Sequence, residues 1–176
     1  MLKTVNLSKQ YRQFTACSNI SIDIPSEKIL GLFGPNGAGK STCFHMITGL
    51  IQPCSGKLFL HDEDITSDPI HVRAQKGIGF LPQDSSIFRD MTVAENILCA
   101  LQLNPKTNLH EKKVRLEELI NRFQLEKVIH SKGHLISGGE RRRTEIARAL
   151  ANKPQYILLD EPFAGIDPIS IHEIKK

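Results

Sequence analysis

Short apolar runs separated by turns dominate the first third of the chain: residues 2–7, 14–17 and 21–24, then Ile29-Leu-Gly-Leu-Phe33. Runs of this length bounded by turn residues predict strands. The Ile29 run leads into a glycine-rich turn, after which Lys40 to about Thr48 reads as a helix stopped by Gly49. Residues 57–61 and 78–81 are further strand candidates. Beyond Gln83 the period changes. Thr92 stands three residues before Glu95 as a helix cap, and Val114, Leu116, Leu119, Ile120 and Phe123 recur at helical spacing. The β-type pattern returns at Tyr156-Ile-Leu-Leu-Asp160, and Pro168 suits the first position of another helix. This order predicts an α/β core interrupted by a helical insertion.

Composition agrees with a folded domain. The chain has 176 residues, 40% hydrophobic and 24% charged, which argues for one globular domain. Its longest stretch without Asp, Glu, Lys or Arg, Ser41 to Gly56, is 16 residues and contains Gly49 and Pro53. A membrane span needs about 20 mostly apolar residues, so none is expected. The first ten residues lack the apolar stretch of a secretory signal, and the expected location is the cytoplasm. A net charge of +4 suits an anionic ligand but does not by itself imply nucleic acid. Cys17, Cys43, Cys54 and Cys99 show no Cys-x-x-Cys spacing and are expected to be reduced thiols.

Two motifs carry chemistry. Gly34-Pro-Asn-Gly-Ala-Gly-Lys-Ser41 fits G-x-x-x-x-G-K-[ST] between an apolar run and a helix. Glycines let backbone wrap phosphates closely, and the helix start presents free N–H groups and a positive dipole end. Lys40 would add a charge at the β- and γ-phosphates, and Ser41 a hydroxyl ligand for magnesium. The second motif is Ile157-Leu-Leu-Asp160-Glu161-Pro162, where a strand delivers two carboxylates at its C-terminal end. Asp160 would hold magnesium and Glu161 would orient or deprotonate the attacking water.

Ser137-Gly-Gly-Glu140, followed by Arg141-Arg-Arg143 and a helical run to Ala151, precedes the acidic strand. Here the chain resembles the nucleotide-binding subunit of ATP-binding cassette (ABC) transporters. The family's Leu-Ser-Gly-Gly-Gln signature reads Ile136-Ser-Gly-Gly-Glu140, a conservative departure at both ends. The resemblance implies a P-loop NTPase (RecA-like) α/β core with an antiparallel β edge and an inserted helical subdomain. Residues 1–176 would form a single domain, with 1–83 and 153–176 as core and 84–152 as helical subdomain. It also implies ATP and Mg2+ as cofactors and a head-to-tail homodimer with ATP at the interface, docked on integral membrane transporter subunits. Gly34, Pro35, Asn36, Gly37, Ala38, Gly39, Lys40, Ser41 and Thr42 would hold the phosphates, and Tyr11 would stack on adenine. Gln83 matches the glutamine that touches magnesium and attacking water. Ser137 and Gly139 would cap the other subunit's γ-phosphate, and Asp167 would contact its phosphate loop.

Within the family, Leu81-Pro-Gln-Asp-Ser-Ser-Ile-Phe-Arg89, Gly138-Gly-Glu-Arg-Arg-Arg143 and Asp160-Glu-Pro-Phe-Ala-Gly-Ile-Asp-Pro168 look like the lipopolysaccharide-export ATPases. This implies a peripheral position on the cytoplasmic face of the inner membrane. Branched-chain amino acid importer ATPases are the nearest alternative. Cassette ATPases acting on nucleic acid or ribosomes usually carry two cassettes or large insertions, so a nucleic-acid partner is not expected. The Glu140-Arg-Arg-Arg143 run reads equally as a solvated helix face. The family's switch histidine lies further beyond the glutamate, whereas the only histidine in the fifteen residues after Glu161 is His172, read as a solvated side chain. The expectation is a truncated copy with a core incomplete at its C-terminus and turnover near background, the alternative function being an inactive ATP-binding fragment.

Overall fold

The computed structural model describes residues 1–105 and 107–162. They divide into two compact units, one formed by Met1–Gly79 and the other beginning at Phe80. Among the described residues no helix is long and apolar enough to cross a membrane.

The first unit is built on an antiparallel sheet. Strands β1 (Leu2–Tyr11) and β2 (Phe14–Ile24) form a hairpin with Leu2 opposite Ile24 and Tyr11 opposite Phe14. Arg12, between them, takes the positive φ that tight hairpin turns require. The two sequence runs at 14–17 and 21–24 are thus one strand, because irregular pairing with β1 carries the ladder across the polar Ser18 and Asn19. Strand β3 (Ser55–Leu60) pairs antiparallel on the other side of β1, with Leu2 opposite Leu60, and the short β4 (Glu63–Asp64) completes the order β2-β1-β3-β4. Helix α1 (Lys40–Thr48) packs on β2 and on helix α2 (Ile70–Gln75). Leu2, Leu7, Leu58, Leu60 and Ile65 are buried, as are Cys43, Met46 and Ile47 of α1.

Helix α1 stops where the sequence says it should. Gly49 adopts the left-handed conformation at φ 82°, and a Cβ there would lie 3.0 Å from the backbone N of Ile70. The end of α1 is also held by Arg73, which is 1% exposed. Its guanidinium donates to the carbonyls of Met46 (2.6 Å) and Ile47 (2.9 Å) in the last turn of α1, and of Thr66 (2.7 Å) and Asp68 (2.8 Å).

One expected strand is not formed. Residues 29–33 have no regular structure, and Ile29 and Phe33 are fully or almost fully exposed. Apolar character alone cannot make a strand, since each extended backbone needs a neighbour for its N–H and C=O groups. None of the described strands pairs with this segment.

Strand β5 (Ile78–Leu81) leads into the second unit and pairs with β6 (Tyr156–Leu159) in a two-stranded sheet. Between them lie α3 (Val93–Gln102), α4 (Leu109–Arg122), a 3₁₀ turn (Glu126–Val128) and α5 (Gly138–Ala149). Each of the three α-helices begins with a reciprocal capping box: Thr92 with Glu95, Asn108 with Glu111, and Ser137 with Glu140. Val93, Ile97 and Leu101 of α3 meet Leu119 and Ile120 of α4 and Ala147 of α5 in one apolar cluster, with Phe123, Leu125 and Ile136. The helical spacing read from the sequence holds for Leu119, Ile120 and Phe123, whereas Val114 is half exposed, off the buried face. Cys17 and Cys43 are buried, Cys54 is exposed, and all four thiols are free. Pro168 lies outside the described residues.

Candidate nucleotide-binding site

In the first unit, residues 34–39 form a loop entering α1, exposed over 34–38. Gly39 is the N-cap of α1, at φ 86°. A Cβ on it would fall 2.1 Å from the carbonyl oxygen of Ala16 and 3.0 Å from Cys17 Sγ, so only glycine lets the loop lie against β2. The Gly39 carbonyl accepts from the Cys43 N–H (2.9 Å) and the Cys17 thiol (3.3 Å). Lys40 Nζ folds back over the loop and donates to the carbonyls of Gly34 (2.8 Å) and Pro35 (2.9 Å). The first turn of α1, which includes Ser41 and Thr42, holds no acidic residue, and Gly39 at its N-cap makes no side-chain cap bond. A cationic amine thus lies beside an open, positive helix end, an arrangement suited to a polyphosphate. Burial pushes the Cys43 thiol up to about 11, with Cys17 adding to the shift, so neither buried sulfur is a ready nucleophile. Tyr11, at the end of β1, is 45% exposed with Lys9 Nζ 5.4 Å from its ring centroid.

In the second unit, Gln83 and Glu161, far apart in sequence, are brought together. Gln83 Nε2 donates to Glu161 Oε2 at 2.8 Å. Glu161 is exposed and sits in the left-handed region at φ 45°, an uncommon conformation for a residue with a Cβ. Asp160 is buried, and its N–H donates to the Leu81 carbonyl (3.0 Å), fastening the end of β6 to the end of β5. Ser137 caps α5 through its hydroxyl, which accepts from the Glu140 N–H (3.3 Å). Glu140 accepts in return from the Ser137 hydroxyl (2.7 Å) and N–H (2.8 Å), bonds that hold its carboxyl below the usual range. Gly139 is buried in the first turn. Asp167 lies outside the described residues, as does His172.

The solvated-face reading of the Glu140–Arg143 run needs correction. Arg142 is 7% exposed and bonds to Glu145 and to backbone carbonyls, because its side chain turns under α5 toward the ends of β5 and β6. Sequence reasoning also passed over Glu145, 2% exposed, and Arg148, whose Nη2 donates to the Ser86 carbonyl (2.7 Å). The available signal was the spacing of Arg142, Glu145 and Arg148, which puts alternating charges on one helical face.

Serine hydroxyl, glutamine amide oxygen and aspartate carboxylate are hard oxygen donors of the kind magnesium takes. Among the described residues there is no group of three or more His, Cys, Asp or Glu side chains placed to hold a metal by themselves.

A family model described as ABC transporter matches residues 17–164. The lipopolysaccharide export system ATP-binding protein LptB of Haemophilus influenzae is 48% identical over 176 residues, covering 100% of this chain and 73% of that protein. The protein of the same name from Escherichia coli K12 is 46% identical over 175 residues, covering 99% and 73%. Among solved structures, the dimeric post-hydrolysis state of the ATP-binding cassette MJ0796 bound to ADP and Pi superposes with a TM-score of 0.87. It is 29% identical, and the match covers 99% of this chain and 79% of that one.

Proposed function

The chain belongs to the ABC transporter family of ATP-binding cassettes and carries its P-loop NTPase fold, and from that premise we propose that it binds and hydrolyses ATP to drive lipopolysaccharide export. The observation that carries the reading is the unguarded start of α1 with Lys40 folded onto the loop carbonyls of Gly34 and Pro35. An incoming phosphate competes for that amine and meets the free N–H groups behind it.

The residues take the following roles. Loop residues 34–42 enclose the β- and γ-phosphates, Lys40 neutralises them, and Tyr11 stacks on the adenine. Ser41, Gln83 and Asp160 would hold magnesium, which when bound neutralises charge developing on the β- and γ-phosphate oxygens. Glu161, oriented by Gln83, accepts the proton of the attacking water. As the new P–O bond forms, the bond bridging the β- and γ-phosphates breaks, and its electrons pass to the leaving ADP. Ser137, Gly139 and Asp167 act across a head-to-tail homodimer on the ATP held by the other copy. Residues 1–83 and 153–176 serve as nucleotide core, and 84–152 as the helical part that meets integral membrane subunits at the cytoplasmic face of the inner membrane. Relatives with lipopolysaccharide export in their names support that assignment.

Calorimetry tests the reading. Mg-ATP should bind the parent and not Lys40→Ala; undiminished binding by the variant sinks the assignment. Crosslinks from residues 87–96 should reach integral membrane subunits. Crosslinks to ribosomal components alone would refute the transport role.

A further inference from the structure

Two opposite charges one turn apart on a surface helix are ordinarily left in water. Arg142 and Glu145 of α5 are instead 7% and 2% exposed, with Nη1 and Oε2 3.0 Å apart. Burial of such a pair is costly unless its remaining polar atoms are well bonded, and where those bonds go is informative. Arg142 Nε donates to the Pro162 carbonyl (2.9 Å) and Nη1 to the Pro82 carbonyl (3.0 Å). Pro82 immediately precedes Gln83, and Pro162 immediately follows Glu161. Glu145 Oε1 accepts from the Ser85 hydroxyl (2.6 Å) and from the N–H groups of Ser86 (2.9 Å) and Ile87 (3.2 Å). The pair therefore grips the backbone on both sides of Gln83 and at the residue after Glu161. Between those anchors the Gln83 and Glu161 side chains meet at 2.8 Å.

We propose that Arg142, with Glu145 as its buried counter-ion, is a positioning residue that sets the placement of Gln83 against Glu161 from the helix beginning at the signature serine. The inference rests on the ATPase reading above. Its physical basis is the rigid planar fork of guanidinium, which reaches two carbonyls at once; a lysine ammonium is a single point of charge on a flexible stem. Arg142 Nη2 has no hydrogen-bond partner among the described residues, so the bonds to the two carbonyls and Glu145 carry the burial.

Arg142→Met alone would strand the Glu145 carboxylate, so the informative variant is Arg142→Met/Glu145→Met, since apolar replacement of a buried ion pair is often neutral or stabilising. The full chain is compared with this double variant and with Arg142→Lys. Both variants are expected to remain folded and to bind metal-free ATP with parental affinity, although the double variant should melt several degrees lower because it leaves the Pro82 and Pro162 carbonyls and the Ser86 and Ile87 N–H groups without these partners. The Asp160 amide proton should exchange at least about tenfold faster, and turnover at saturating ATP should fall about 10–100-fold, the scale of a misplacement near 1 Å. If parental turnover is too slow to follow, Mn2+ affinity of the ATP complex replaces it, since Gln83 and Asp160 are proposed ligands; a fall of about tenfold is expected. Parental turnover, or parental Mn2+ affinity where that is the readout, in a folded double variant overturns the proposal, whatever Asp160 exchange does. So does a loss of metal-free ATP affinity equal to the loss of turnover. Failure of the parent to bind Mg-ATP would instead refute the ATPase reading, and exchange at Asp160 would still decide whether the pair holds the two segments.

Discussion

Arg73 is the side chain whose loss should be felt most in the first unit. The Met46 and Ile47 carbonyls belong to the last turn of α1, where helix geometry leaves C=O groups without an intrahelical N–H. Both residues are 1% exposed, so water cannot readily replace the guanidinium there. Leaving a buried acceptor unmade costs about 1–3 kcal/mol, and two of them about 2–6 kcal/mol. The Thr66 and Asp68 carbonyls lose partners as well. Against this, Arg73→Met removes a desolvated charge. Burial lowers the Arg73 pKa, with the Asp68 carboxylate only partly opposing it. The net expectation for Arg73→Met is about 3 kcal/mol of destabilisation, which for a chain this size is a melting shift of about 6–12 °C. Arg73→Lys should lose most of the same amount, because one ammonium cannot span four carbonyls on two segments. Far-UV circular dichroism melts of parent and variants measure this, and a shift below about 2 °C for Arg73→Met would refute the capping argument.

Other expectations are as direct. The Thr66 hydroxyl, then the Thr66 N–H and Lys57, hold the Asp64 carboxyl at about 2 against an ordinary 3.8. Its contribution is therefore complete above pH 3.8 and is lost as pH falls through about 2, so Asp64→Asn should flatten acid destabilisation in that window. An unchanged slope in denaturant titrations at successive pH values would show that the bonds are not formed. Ser137→Ala removes the cap of α5 and should cost about 1 kcal/mol in chemical denaturation, with Glu140 titrating closer to an ordinary carboxylate by NMR. In native protein, iodoacetamide mapped by mass spectrometry should label exposed Cys54 well before buried Cys43, and equal rates would contradict the packing beneath α1.

The parts of the fold that were legible in sequence are those whose causes are local. Helix α1 runs from Lys40 to Thr48 as read, because both of its ends are set by glycines that take positive φ. The Thr92 and Glu95 cap formed because both partners lie within one turn. The 29–33 run carries as strong an apolar signal, yet a strand depends on a neighbour elsewhere in the chain, which no local pattern can supply. Candidate site residues were legible where spacing is imposed by the ligand, as in residues 34–41. The meeting of Gln83 and Glu161 was legible only through family resemblance. Arg73 was not legible at all, and Arg142 and Glu145 only as a spacing that puts opposite charges on one helical face, since charged residues are normally solvated and their burial depends on polar backbone groups contributed by distant segments.

The three reciprocal caps of the second unit bear on the order in which the chain folds. Each cap is completed within four consecutive residues, so the starts of α3, α4 and α5 are encoded without any distant contact. Helix nucleation is the costly step, and a cap that satisfies two orphan N–H groups lowers that cost at a defined place. The sheet of the first unit must instead bring Leu2 against Leu60, closing the long loop between them before the ladder rewards it. Helical signal should therefore rise ahead of β1–β3 pairing during refolding. The segment that presents Gln83 to its partners would then be anchored on preformed helices while the phosphate loop still awaits its sheet.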